Sequence, residues 1–199
     1  MLQTTKECRS QKKPFEADAA SMRTCVFCRK ARDVKHLLPL SMVEGRIVVA
    51  KAVKRRGAWV CIRRVCLSSL QPGKLSAALR TPVSLPEGHK VFLQQLECLA
   101  RLRVLEMIGL ARRQNALSLG VDEVNNERAQ HSGLALLASD ASTRTRNIIG
   151  SFAREFVSSE EMSKAAGVYN VQAVFIKSDR LSQQAAYWWS VWHESASLG

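Results

Sequence analysis

Residues 53–66 read VKRRGAWVCIRRVC, with five cations, one tryptophan and two cysteines in fourteen positions. The Ala58-Trp59-Val60-Cys61-Ile62 run is short, apolar and partly β-branched, which predicts a strand. The clusters that flank it, Lys54, Arg55 and Arg56 on one side and Arg63 and Arg64 on the other, contribute nothing to a core. They form either a solvated face or a face that meets a polyanion. No acidic residue lies between Arg46 and Arg80 to neutralise them. A second strand is expected at RIVVA, residues 46–50, with KAVKRRG connecting the two. From Arg63 the apolar pattern turns helical, is interrupted at Pro72-Gly73, and resumes through Leu75, Leu79 and Arg80.

Charge divides the chain. Residues 1–90 hold 19 Lys/Arg against 6 Asp/Glu, whereas residues 91–199 hold 11 of each. The whole net charge of +13 therefore sits in the first 90 residues. So dense an excess resists compaction unless a polyanion screens it, and nucleic acid is the usual one, with an anionic membrane surface as the rival. The stretch TPVSLPEG, residues 81–88, has two prolines and a glycine at the charge boundary and reads as a linker. Residues 1–22 are polar, basic and patternless, and are expected to form a flexible tail. The expected layout is a small basic α+β domain over residues 23–80, then a second domain over residues 89–199.

That second half alternates its patterns. Helical spacing runs through residues 89–113, a helix opens after Gly120, and LALLASD (residues 134–140) reads as a buried strand ending at Asp140. Ser142 to Phe156 is expected to be helical. Ser158 or Ser159 then caps a helix that Gly167 stops. VQAVFI, residues 171–176, is the last strand, and Arg180 to Trp192 the last helix, with Leu181, Ala185, Trp188 and Trp192 on its docking stripe and Trp189 off it. The class is α/β, and the second domain an α/β/α sandwich.

Six cysteines occur: Cys8, Cys25, Cys28, Cys61, Cys66 and Cys98. No apolar run approaches the 18 residues a spanning helix requires, and the first residues lack a signal-peptide core, so no membrane partner and a cytoplasmic setting are expected. Thiols there stay reduced and serve as metal ligands or buried apolar groups. Cys25-x2-Cys28 and Cys61-x4-Cys66 supply two thiolates from each of two places, a candidate ligand set for structural zinc. The alternative is four buried thiols in a small core. Arg29, Lys30, Arg32 and Lys35 follow the first pair. If the two cysteine segments pack together, these cations converge with Arg56 and its neighbours on one surface. Gly57 would let backbone approach a phosphate. Trp59 is either core or a stacking face for an unpaired base.

RTCVFCRK at residues 23–30, followed by RGAWVC at 56–61 and a further cysteine, resembles the YlxR family of small bacterial RNA-binding proteins. Arg55 stands where that family more often has glycine. The resemblance covers residues 23–80 and implies an α/β fold with a basic face for structured RNA, ribosomal or ribonuclease P-like. With the basic clusters, Gly57 and Trp59 read above, the candidate RNA contacts are Arg23, Arg29, Lys30, Arg32, Lys35, Lys54, Arg55, Arg56, Gly57, Trp59, Arg63 and Arg64.

IGLARRQNALSLGVDEVNN at residues 108–126, LALLASDAS and SSEEMSKAAG together resemble the kink-turn-binding ribosomal protein superfamily. In those proteins a glycine-led loop entering a helix reads a bent RNA. Gly120 and Glu123 match its motif, while Val121 and Asp122 replace a Thr-Asn pair and Asn126 replaces a lysine. The second domain is accordingly expected to add shape recognition or a protein contact. A catalytic reading lacks its parts: His36, His89, His131 and His193 are scattered, and Asp140 has no phosphate-binding loop beside it and is expected to cap the next helix. The expected function is RNA binding without catalysis. The alternative is a DNA-binding, zinc-stabilised transcriptional regulator that uses the same basic face.

Overall fold

A computed structural model describes residues 21–50, 56–85, 87–177, 179–196 and 198. The expected tail before Ser21, and Lys54 and Arg55, lie outside the described residues. The described residues up to Ala100, with those from Ser190 on, form one compact unit, and Arg101–Trp189 forms another.

In the first unit β1 (Met22–Thr24) and β2 (Ala31–Asp33) make an antiparallel hairpin around the Cys25–Cys28 turn, so strand structure begins one residue inside the expected tail. A 3-10 turn at Val34–His36, capped by Asp33, leads into β3 (Leu37–Val43). β3 is the centre of a three-stranded antiparallel sheet, between β4 (Arg46–Val49) and β5 (Ala58–Cys61). A two-residue turn, Glu44–Gly45, joins β3 to β4 with positive φ at both positions, as the strand twist requires. The sequence reading did not anticipate β3, and Pro39 is an unusual residue for a central strand. The register explains its presence. Trp59 uses its carbonyl on Val26, away from β3, so the Pro39–Trp59 pair exchanges no hydrogen bond. Pro39 also lies past the last β4 pair, Leu40–Val49, so its missing N–H breaks no ladder. α1 (Arg64–Ser68) and α2 (Pro72–Leu79) follow, with Pro72 beginning a helix rather than breaking one.

α3 spans Gly88–Arg113, and the division between the units falls inside it. The boundary is thus not at residues 81–88 as expected. His89 explains the shift: its Nε2 lies 2.9 Å from the Leu67 carbonyl, which ties the start of α3 to the first unit.

The second unit alternates helix and strand: the end of α3, β6 (Leu117–Leu119), α4 (Val121–Gln130), β7 (Leu134–Leu137), α5 (Thr143–Ile149), β8 (Arg154–Glu155), α6 (Ser159–Ala166), β9 (Ala173–Ile176), then α7 (Asp179–Ala196) as far as Trp189. Its sheet runs β6-β9-β7-β8, antiparallel except for the β7–β8 pair. All four residues of β7 and of β9 are buried, so both faces of the sheet are covered, as in a sandwich. The chain is mixed α and β throughout. The expected helix over Ser142–Phe156 ends at Ile149, and β8 occupies its last part.

Ser158 caps α6 and Gly167 closes it in the left-handed conformation. Asp140 does not cap α5, whose cap is Ser142. Its two oxygens accept from the Ser159 N–H at 2.7 Å and the Ser159 hydroxyl at 2.8 Å, so it binds the first turn of α6. On α7, Leu181, Ala185 and Trp188 are buried as the stripe predicts, whereas Trp192, its fourth member, is half-buried. Trp189 donates from Nε1 to the Glu155 carbonyl at 2.8 Å, with the Arg154 guanidinium 4.8 Å from its ring centroid. Among the described residues no helix is long and apolar enough to cross a membrane.

Candidate metal centre and nucleic-acid interface

β5 is the platform of the site. Its odd-numbered residues turn their backbone groups away from β3 and toward the Cys25–Cys28 turn. The Val26 N–H donates to the Trp59 carbonyl at 2.9 Å, and the Cys61 N–H donates to the Cys25 sulfur at 3.3 Å. The turn closes on itself through Arg29 N–H to the Cys25 carbonyl and Cys25 N–H to the Lys30 carbonyl, both at 3.0 Å. Such a closure puts Arg29 in the left-handed conformation at φ 59°, an uncommon one for a long side chain. α1 then brings Cys66 back over the end of β5.

The result is a cluster of four sulfurs, Cys25, Cys28, Cys61 and Cys66, all within 4.8 Å of one another. Cys28 Sγ is 3.6 Å from Cys61 Sγ, far beyond a disulfide bond of about 2.05 Å. A tetrahedral thiolate cage with metal–sulfur bonds of about 2.3 Å has edges of about 3.8 Å, so the cluster has the dimensions to hold a metal ion. Cys25, Cys61 and Cys66 are buried, and Cys28 is half-buried. The Lys30 backbone N–H lowers the Cys28 thiol to about 7. Burial pushes Cys61 up to about 11 and raises Cys66 as well, and neighbouring sulfurs add to both. Without a cation Cys28 gives up its proton more readily than Cys61 or Cys66. A bound cation would stabilise the remaining thiolates. Cys98 lies on α3 outside this group, and Cys8 lies outside the described residues.

The expected cations are distributed around this frame. Arg29 and Lys30 are exposed on the cysteine turn, and Arg23, exposed on β1, stands opposite half-buried Arg32 on β2. Arg56 and Gly57 are exposed just before β5, and Arg63 and Arg64 just after it. At about 3.3 Å per residue these two groups stand roughly 20 Å apart, at opposite ends of the strand rather than in one cluster. Lys35 is paired with Asp33 at 3.4 Å. Among the described residues, Arg23, Arg29, Lys30, Arg56, Arg63 and Arg64 have no ion pair. Trp59 is half-buried in β5, between the buried Ala58 and Val60.

One cation escaped the sequence reading. Lys74, exposed in the first turn of α2, holds its ammonium 5.4 Å from the Phe27 ring centroid. The signal for it was present: a lysine opposes the positive end of a helix, and that turn has no acidic residue.

In the second unit Gly120 precedes α4 at φ 87° and ψ 161°, a conformation that suits glycine, and donates its N–H to the Ala173 carbonyl at 3.1 Å. Val121 is half-buried, while Asp122, Glu123 and Asn126 are exposed. Glu123 is engaged locally, accepting from the Leu119 N–H at 3.3 Å. Asp122 and Glu123 together complement the α4 dipole. Of the residues expected from the kink-turn motif, Gly120, Val121, Asp122 and Glu123 thus stand at one helix start, with acidic groups at the surface, and Asn126 lies in the next turn.

No family model matches the chain, and none of the curated proteins matches it either. Among solved structures it is similar to a protein of unknown function from Bacillus halodurans C, at 22% identity over 43% of this chain and 94% of that one, with a TM-score of 0.39.

Proposed function

We propose that this protein binds structured RNA through its first unit, which a structural zinc ion on Cys25, Cys28, Cys61 and Cys66 holds rigid. One observation carries the reading. The four-sulfur cluster fastens a turn bearing exposed Arg29 and Lys30 to a strand with exposed Arg56, Arg63 and Arg64 at its ends. Four thiols within tetrahedral reach suit zinc, which binds soft ligands without redox chemistry. The ion would act as a cross-link. The basic groups then neutralise phosphates without folding first, so less ordering entropy opposes binding.

The resemblance of residues 23–80 to the YlxR family supports RNA, ribosomal or ribonuclease P-like, over other polyanions. For the second unit, the alternation of helix and strand supports the likeness to kink-turn-binding proteins. Its near balance of charge, 11 Lys/Arg against 9 Asp/Glu over residues 101–189, supports a role in shape recognition or protein contact. On this reading the protein is a cytoplasmic RNA-binding accessory protein and not an enzyme.

The test is competition at fixed salt between a folded RNA hairpin and a B-form DNA duplex, using zinc-loaded full-length protein. RNA is expected to win by at least tenfold, because an A-form groove presents its phosphates and 2′-hydroxyls differently. Preference for the DNA would favour a transcriptional regulator and overturn the proposal.

A further inference from the structure

The geometry points to a nucleotide-sized subsite: we propose that the groove between the Cys25–Cys28 turn and α2 receives one unpaired nucleotide of the bound RNA. The inference rests on the RNA reading above and adds what that reading leaves open, the kind of RNA preferred. Val26 and Arg29 line the groove from the turn, and Gly73, Lys74, Ala77 and Ala78 line it from α2, around a volume of about 290 Å³. That is just below the range of pockets for drug-sized ligands, about 300–1,000 Å³, and suits a single nucleotide rather than a strand pair.

The lining matches such a guest. Val26, Ala77 and Ala78 form an apolar floor of small side chains on which the flat face of a base can lie. Arg29 and Lys74 are exposed at the walls, and among the described residues neither has an ion pair, so both are available to phosphate. The Phe27 ring beneath the Lys74 ammonium holds that charge beside the opening. Gly73 leaves a gap in the wall, since a Cβ there would meet nothing within 4 Å, and the nucleic-acid backbone can pass through it. A regular duplex keeps its bases stacked and cannot fill the groove, whereas a bulged or looped base can. An acidic peptide would satisfy the two cations but has no flat ring for the floor.

The test uses full-length protein and two RNA hairpins that differ only by one unpaired uridine, at fixed salt. Wild type is expected to bind the bulged hairpin about tenfold more tightly, the order of gain from burying one base face on an apolar floor. Ala77→Leu fills the groove at an exposed helical position without changing charge, and should bring the ratio of the two affinities to within about twofold of unity. Lys74→Gln gives a second route and should weaken the bulged hairpin more than the regular one. Equal binding of both hairpins by wild type, or a ratio that survives both substitutions, overturns the subsite and leaves the RNA reading standing. Displacement of the bulged RNA by polyglutamate from wild type but not from Ala77→Leu assigns the groove to an acidic peptide and also overturns it. Failure of wild type to bind either hairpin removes the RNA reading itself, and the subsite with it.

Discussion

Cys66 tests the metal centre most directly, because it is buried and its replacement by alanine leaves no new polar group. If zinc is bound, Cys66→Ala is expected to lower the metal content from about one per chain toward zero. Loss of about 3 kcal/mol or more would accompany it, a fall of at least 10 °C in Tm. Metal analysis with a thermal melt checks both, and an unchanged melt would leave four packed thiols as the account. Arg29 separates stability from binding. Its left-handed backbone suits glycine better, so Arg29→Gly should leave stability within about 1 kcal/mol of wild type or raise it. The same change removes one phosphate contact and should make the salt slope of RNA binding shallower by about one. Asp140 supplies a pH dependence. The Ser159 hydroxyl, then its N–H, hold the Asp140 carboxyl below the usual range. Its contribution is therefore complete above the unfolded carboxylate value and is lost as pH falls through the lower folded one. The melts of wild type and Asp140→Ala should therefore differ at pH 7 and converge as the pH falls below the carboxylate range.

Elements were legible where the residues alone dictate them. Ser158 and Gly167 bracket α6 as expected, because a cap and a left-handed stop are local chemistry. β3 was not legible, and Pro39 is unusual in a central strand until Trp59 is seen to bond elsewhere. β8 is two residues long, too short for any periodicity. Asp140 was expected to act on the next helix in sequence, but the fold brings α6 to it instead. Gly133 is a further case that only packing explains. A Cβ there would meet the Ile176 carbonyl, and the Phe175 ring at 2.6 Å, so β9 leaves no room for one. Gly133→Ala is expected to destabilise the second unit by about 2 kcal/mol or more, as overpacking does, measured by denaturant unfolding. A change under about 0.5 kcal/mol would show that the strand can shift.

At the scale of the whole molecule the charge asymmetry becomes a binding prediction. If the first unit meets about five phosphates, log K for RNA should fall with log salt at a slope of roughly −4. A slope near zero in a salt titration would remove the electrostatic reading. The sequence by itself determined the mixed α and β class, the concentration of the +13 charge in the first 90 residues, and the two cysteine pairs, because composition and short spacings need no partner to be read. Only the tertiary structure decided that the four sulfurs meet within 4.8 Å, that the basic groups stand at both ends of β5, and that the unit boundary falls inside α3. Those outcomes depend on which strands pair and where a helix docks, and such contacts join residues far apart in the chain that no local pattern encodes.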